Sequence, residues 1–112
     1  MNSTRQNKVA RLLQKELSEL FQREARNLFG GALITVTIVR ISPDLAEAKI
    51  YLSIFGVKDN EEILKMVKTN YKTIRAKLGE KIKNQLRIVP NLSFFIDDSL
   101  DYAEKIDQLL KK

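Results

Sequence analysis

Cysteine and histidine are both missing from this 112-residue chain, and so is tryptophan. Without thiols there is no disulfide, no zinc finger and no cysteine nucleophile. Without imidazole the usual general base and the commonest metal ligand are gone. Proline occurs twice and glycine four times, too few for a long flexible linker. No apolar run approaches the ~20 residues that cross a bilayer, and the first residues hold no continuous apolar stretch of signal-peptide type. The expectation is a soluble cytoplasmic protein. What remains, 44% hydrophobic residues, suits one domain over residues 1–112 with a modest core.

Lys and Arg outnumber Asp and Glu by 20 to 14, a net charge of +6, and the excess is uneven. Residues 61–89 carry eight basic and three acidic side chains, whereas 90–112 carry three and five. A local excess of this kind points to a polyanionic partner, most often nucleic acid.

Ser3 and Gln6 have the spacing of a capping box. Val9, Leu12, Leu13, Leu17, Leu20 and Phe21 follow at helical intervals, predicting a helix over 4–27 that stops before Gly30-Gly31. ALITVTIVRI (32–41) and EAKIYLSIF (47–55) alternate and are rich in β-branched residues. They read as an antiparallel hairpin joined by Ser42-Pro43-Asp44-Leu45. Strict alternation points Ile34, Val36, Ile38, Ala48, Ile50, Leu52 and Ile54 inward, leaving Thr35, Thr37, Lys49, Tyr51 and Ser53 on the other face.

Asp59 with Glu62 is a second capping signal. The stripe Ile63, Val67, Tyr71, Ile74, Leu78, Ile82 predicts a long helix to about Lys83. That is long for so small a domain, so a break or kink within it is expected, and Gly79 is the one intrinsically weak residue inside. NLSFFI (91–96) is a third strand with Pro90 at its mouth, and Leu100, Ala103, Ile106, Leu109 and Leu110 suggest a last helix. The result is a two-layer α+β domain, helix-strand-strand-long helix-strand-helix, with helices on one face of a three-stranded sheet.

Four stretches, RQNKVARLLQKELSELFQRE (5–24), SPDLAEAKIYLS (42–53), IRAKLGEKI (74–82) and LRIVPNLSFFIDDSL (86–100), fall in the order found in the ribosome-binding factor A family. The resemblance covers nearly the whole chain. It implies a KH type II-like fold and a cytoplasmic, non-enzymatic factor; a monomer without cofactor is the accompanying expectation. It also implies binding to the free small (30S) ribosomal subunit and its 16S rRNA late in assembly, and help with processing of the precursor at its 5′ end. Where the family breaks its long helix with Ala-x-Gly, this chain has Asn70, Tyr71 and Lys72, so the resemblance implies a kink at Asn70, a poor helix former, as the alternative to one near Gly79.

At 100° per residue, Lys65, Lys68, Lys72, Arg75 and Lys83 share one side of an unbroken long helix, away from its apolar stripe. Arg87 follows shortly after. A lone lysine-rich helix is usually a solvated face. Five cations on one stripe, taken with the resemblance, favour phosphate contact instead. Arg5, Lys8 and Arg11 on the exposed side of the first helix are secondary candidates for RNA, and Tyr51 beside Lys49 is a stacking candidate. KH modules grip the backbone with a GxxG loop, which the sequence lacks, so recognition by shape and phosphate is expected. Two rival readings remain: a magnesium-dependent nuclease using Asp97, Asp98 and Asp101, and an adaptor for an acidic protein. Against the nuclease, carboxylates are common at helix starts, where free N–H groups favour anions. No catalytic residue or metal site is therefore expected.

Overall fold

The computed structural model describes residues 4–97. The elements are α1 (Thr4–Arg23), α2 (Ala25–Leu28), β1 (Leu33–Ile41), β2 (Glu47–Phe55), α3 (Asn60–Thr69), α4 (Tyr71–Ile82) and β3 (Asn91–Ile96). The expected last helix at Leu100, Ala103, Ile106, Leu109 and Leu110 lies outside the described residues. So does Ser3, one half of the expected capping box; Gln6 is buried and its side-chain amide donates to Ile41 O at 2.9 Å.

The sheet runs in the order β1-β2-β3, antiparallel between β1 and β2 and parallel between β2 and β3. Its inner face presents Ile34, Val36, Ile50, Leu52, Leu92 and Phe94 to Val9, Leu13, Leu17, Leu20 and Phe21 of α1 and to the buried sides of α3 and α4. The six-residue stripe predicted for the long helix is the packed one: all but Tyr71 are buried, and Tyr71 is half-buried against the core. Phe21 meets Phe29 edge-on at 5.2 Å between ring centroids and Phe94 at 6.2 Å, joining α1 to the residue after α2 and to β3. This is the two-layer α+β arrangement expected from the sequence.

Three local departures shape the surface. The helix expected over 4–27 is interrupted at Glu24 and resumes for one turn before Gly30 and Gly31, both at positive φ. The long helix breaks at Asn70, not at Gly79, which α4 runs straight through. Asn70 adopts φ −91°, ψ 19°, the bridge region, and both its backbone N–H and its side-chain amide donate to Met66 O. Asparagine holds such a conformation with its own side chain. At the start of α3, Asp59 Oδ1 accepts from the N–H groups of Glu61 and Glu62, as the capping signal required.

Ile38 is the clear correction. The ladder pairs Val36 with Leu52 but Ile38 with Tyr51, so Thr37 is an extra residue in β1. A bulge reverses the alternation beyond it. Ile38 therefore turns outward and is 39% exposed, while Ile41 is buried. The same step keeps Arg40 out of the core. Ser53, expected on the solvated face, is buried.

Candidate nucleic-acid interface

The break at Asn70 divides the expected stripe of cations. Lys65 and Lys68 stand on α3, Lys72 and Arg75 on α4, and Lys83 follows its last turn. Lys65, Lys68, Lys72 and Lys83 are exposed. Arg75 is half-buried and turned inward: Nε donates to Pro90 O at 3.3 Å and Nη2 to Val89 O. It ties α4 to the mouth of β3. Its guanidinium thus serves the fold first.

Beyond α4 the chain turns through 83–88 and brings Arg87 towards the start of α1. Arg5, Arg87, Leu86 and Ile88 line a depression of about 220 Å³ together with Asp44 of the hairpin turn. Arg5 and Lys8, with Val9, Leu12, Gln85 and Leu86, line another of about 360 Å³. Sequence reasoning treated Arg5 and Lys8 as separate from Arg87; the fold gathers them around Leu86. Arg11 lies exposed one turn further along α1. Asp44 is the acid in this region. The Ser42 hydroxyl, donating to Oδ1 at 2.6 Å, and then the Ala46 N–H hold its carboxyl below the usual carboxylate value.

Lys68 belongs to a second place. With Tyr71, Leu92, Ser93, Phe94 and Phe95 it lines a depression of about 360 Å³ along β3, the strand at one edge of the sheet. The Tyr71 hydroxyl accepts the Leu92 N–H at 3.0 Å, so the residue just after the helix break anchors that edge. No spacing signal in the sequence marks this groove, because it is formed by α3, α4 and β3 together.

Electrostatically these surfaces are open. Among the described residues the one ion pair is Lys77 with Glu24 at 3.4 Å, which uses none of the candidate cations. Apart from Arg75, no candidate side chain is hydrogen-bonded or ion-paired among the described residues. Long exposed cations left unpaired are suited to phosphate, whose binding releases condensed counterions.

The carboxylates of the nuclease reading fare differently. Asp97 Oδ2 accepts the Thr37 hydroxyl at 2.6 Å, and the Asp97 N–H donates to Leu52 O. Asp98 and Asp101 lie outside the described residues. Among the described residues no three acidic side chains are grouped to hold a metal ion. No described helix is long and apolar enough to cross a membrane.

The family model of ribosome-binding factor A matches residues 5–110. A ribosome-binding factor A of Cytophaga hutchinsonii is 49% identical over 112 residues, which is all of this chain and 84% of that protein. The crystal structure of the Thermus thermophilus factor superimposes with a TM-score of 0.68 at 23% identity, covering 81% of this chain and 94% of that one. A Thermus thermophilus homology model of the factor, fitted into the cryo-EM map of a 30S complex, gives a TM-score of 0.62 at 27% identity, covering 78% and 89%.

Proposed function

The chain belongs to the ribosome-binding factor A family, and on that premise we propose that it is a non-catalytic assembly factor acting in the cytoplasm. It binds the free 30S ribosomal subunit through 16S rRNA, assists late maturation, and helps processing of the 16S precursor at its 5′ end. A relative of the same fold has been fitted into a 30S complex. The observation that carries the reading is the set of unpaired cations around the helix break and beside the start of α1. With no GxxG loop in the chain, the contacts are to phosphates of folded rRNA, fixing position and shape rather than sequence. The factor holds a maturing stretch of rRNA in one conformation and then leaves. A net charge of +6 suits that transience, because affinity carried by phosphate contacts falls steeply with salt.

Co-sedimentation with purified ribosomal particles tests it. Wild type travels with free small subunits at low salt and less so at moderate salt. A variant with Lys65, Lys68 and Lys72 changed to Glu stays at the top of the gradient with an unchanged unfolding midpoint. Arg75 is left intact because its reversal would cut the tether to Val89 and Pro90. Normal co-sedimentation of the variant would show that the interface lies elsewhere.

A further inference from the structure

We propose that the outer face of the sheet is a second RNA site, a platform on which Tyr51 and Phe95 stack the bases of a single strand while Arg40 and Lys49 hold its phosphates. The proposal rests on RNA being the partner, and extends it from phosphate contact to base contact.

The register sets out the surface. One row across the three strands is Ile38, Tyr51, Phe95; the next is Arg40, Lys49, Ser93. Tyr51 and Phe95 lie with ring centroids 5.3 Å apart and planes 27° from parallel, so they form one aromatic step. Phe95 is 41% exposed, although packing of such a ring normally favours the inside. Arg40 and Lys49 are direct cross-strand neighbours, both exposed and neither ion-paired among the described residues. Like charges placed opposite one another destabilise a sheet, and an anion between them removes that cost. The bulge at Thr37 is what creates the row: strict alternation would turn Arg40 and Ile38 inward, and the extra residue sets Arg40 beside Lys49 and Ile38 beside Tyr51.

Aromatic faces interleaved with cations on an open sheet are the chemistry that single-stranded RNA uses, since every base has a face to stack and a phosphate beside it. The platform also joins the interface already described. Phe95 lines the groove that holds Lys68 and Tyr71, so one strand of RNA can pass from α3 around the edge of β3 onto the sheet.

The absence of tryptophan from the natural chain gives a direct test. In the full chain, Tyr51→Trp places a single indole on the platform, and Phe95→Trp places one on the neighbouring strand as an independent reporter. Each is titrated with a dye-labelled single-stranded oligouridylate of about ten nucleotides, following dye anisotropy for binding and indole emission for stacking. The expected result is the red-shifted emission of a solvated indole in the free protein, quenched by the RNA but not by inorganic polyphosphate. In the otherwise natural chain, Phe95→Ala and Lys49→Ala each weaken oligouridylate binding about tenfold. Binding by anisotropy without quenching overturns the platform and leaves the helical interface standing. A blue-shifted emission in free protein that RNA does not change also overturns it, because the face is then covered by protein. Absence of oligouridylate binding overturns the platform alone, because the helical interface is read separately by co-sedimentation with small subunits, whose rRNA is folded.

Discussion

The Thr37 hydroxyl and the Asp97 carboxylate, separated by 60 positions in the chain, meet at 2.6 Å across the sheet. Thr37 is the extra residue of the β1 bulge, and its hydroxyl also lies 3.3 Å from Tyr51 O of β2. Asp97 closes the end of β3 with its N–H on Leu52 O. One side chain at the irregular point of one edge strand therefore fastens the far end of the other. A bulge so fixed holds the phase of Ile38 and Arg40 outward.

Thr37→Val keeps the β-branched shape and removes the hydroxyl. A hydrogen bond to a charged group contributes about 1.5–3 kcal/mol, less where water reaches it, and Thr37 is half-buried. The expected loss is about 1–2 kcal/mol in urea unfolding, with an unchanged slope. An unchanged midpoint would mean that the bulge does not depend on this bond.

Tyr71→Phe tests the anchor between the helix break and the strand edge. It deletes the acceptor of the Leu92 N–H and leaves the ring on Phe94, 6.5 Å away between centroids. The cost expected is about 1–2 kcal/mol, with faster hydrogen exchange at the Leu92 amide. Unaltered exchange there would assign the protection to another group.

Gly79→Ala is expected to stabilise. α4 continues through this position, an added Cβ meets only Val89 Cγ2 at 3.4 Å, and alanine is about 1 kcal/mol better than glycine inside a helix. A rise of about 0.5–1 kcal/mol in unfolding free energy is the outcome to look for. A fall would show that Val89 cannot give way.

Much of this was legible in sequence because it is local. Periods of about 2 and 3.6 placed β1, β2, β3 and the buried stripe from Ile63 to Ile82, since each residue's inward or outward choice repeats along its own element. Asp59 announced the start of α3 by its side chain alone. The family likeness was also legible, since motifs stand in order along the chain.

What the linear chain could not show was phase and company. Whether the long helix broke at Asn70 or Gly79 depended on which residue's backbone the surrounding packing bent, and Asn70 could donate twice to Met66 O. The inward reading of Ile38 failed because a bulge is set by pairing with a partner strand, which no periodicity within β1 records. Arg75 counted as a free cation until the carbonyls of Val89 and Pro90 came within its reach.

The sequence by itself determined which segments are helix or strand, which side chains fill the core away from the β1 bulge and Ser53, and that positive charge is in excess, because these follow from side-chain chemistry and spacing along the chain. Only the tertiary structure decided where that charge stands: Arg87 with Arg5 and Lys8, Lys68 beside the edge of β3, Arg40 opposite Lys49. Closeness between residues far apart in the chain comes from layers packing on one another, and packing is a property of the whole domain.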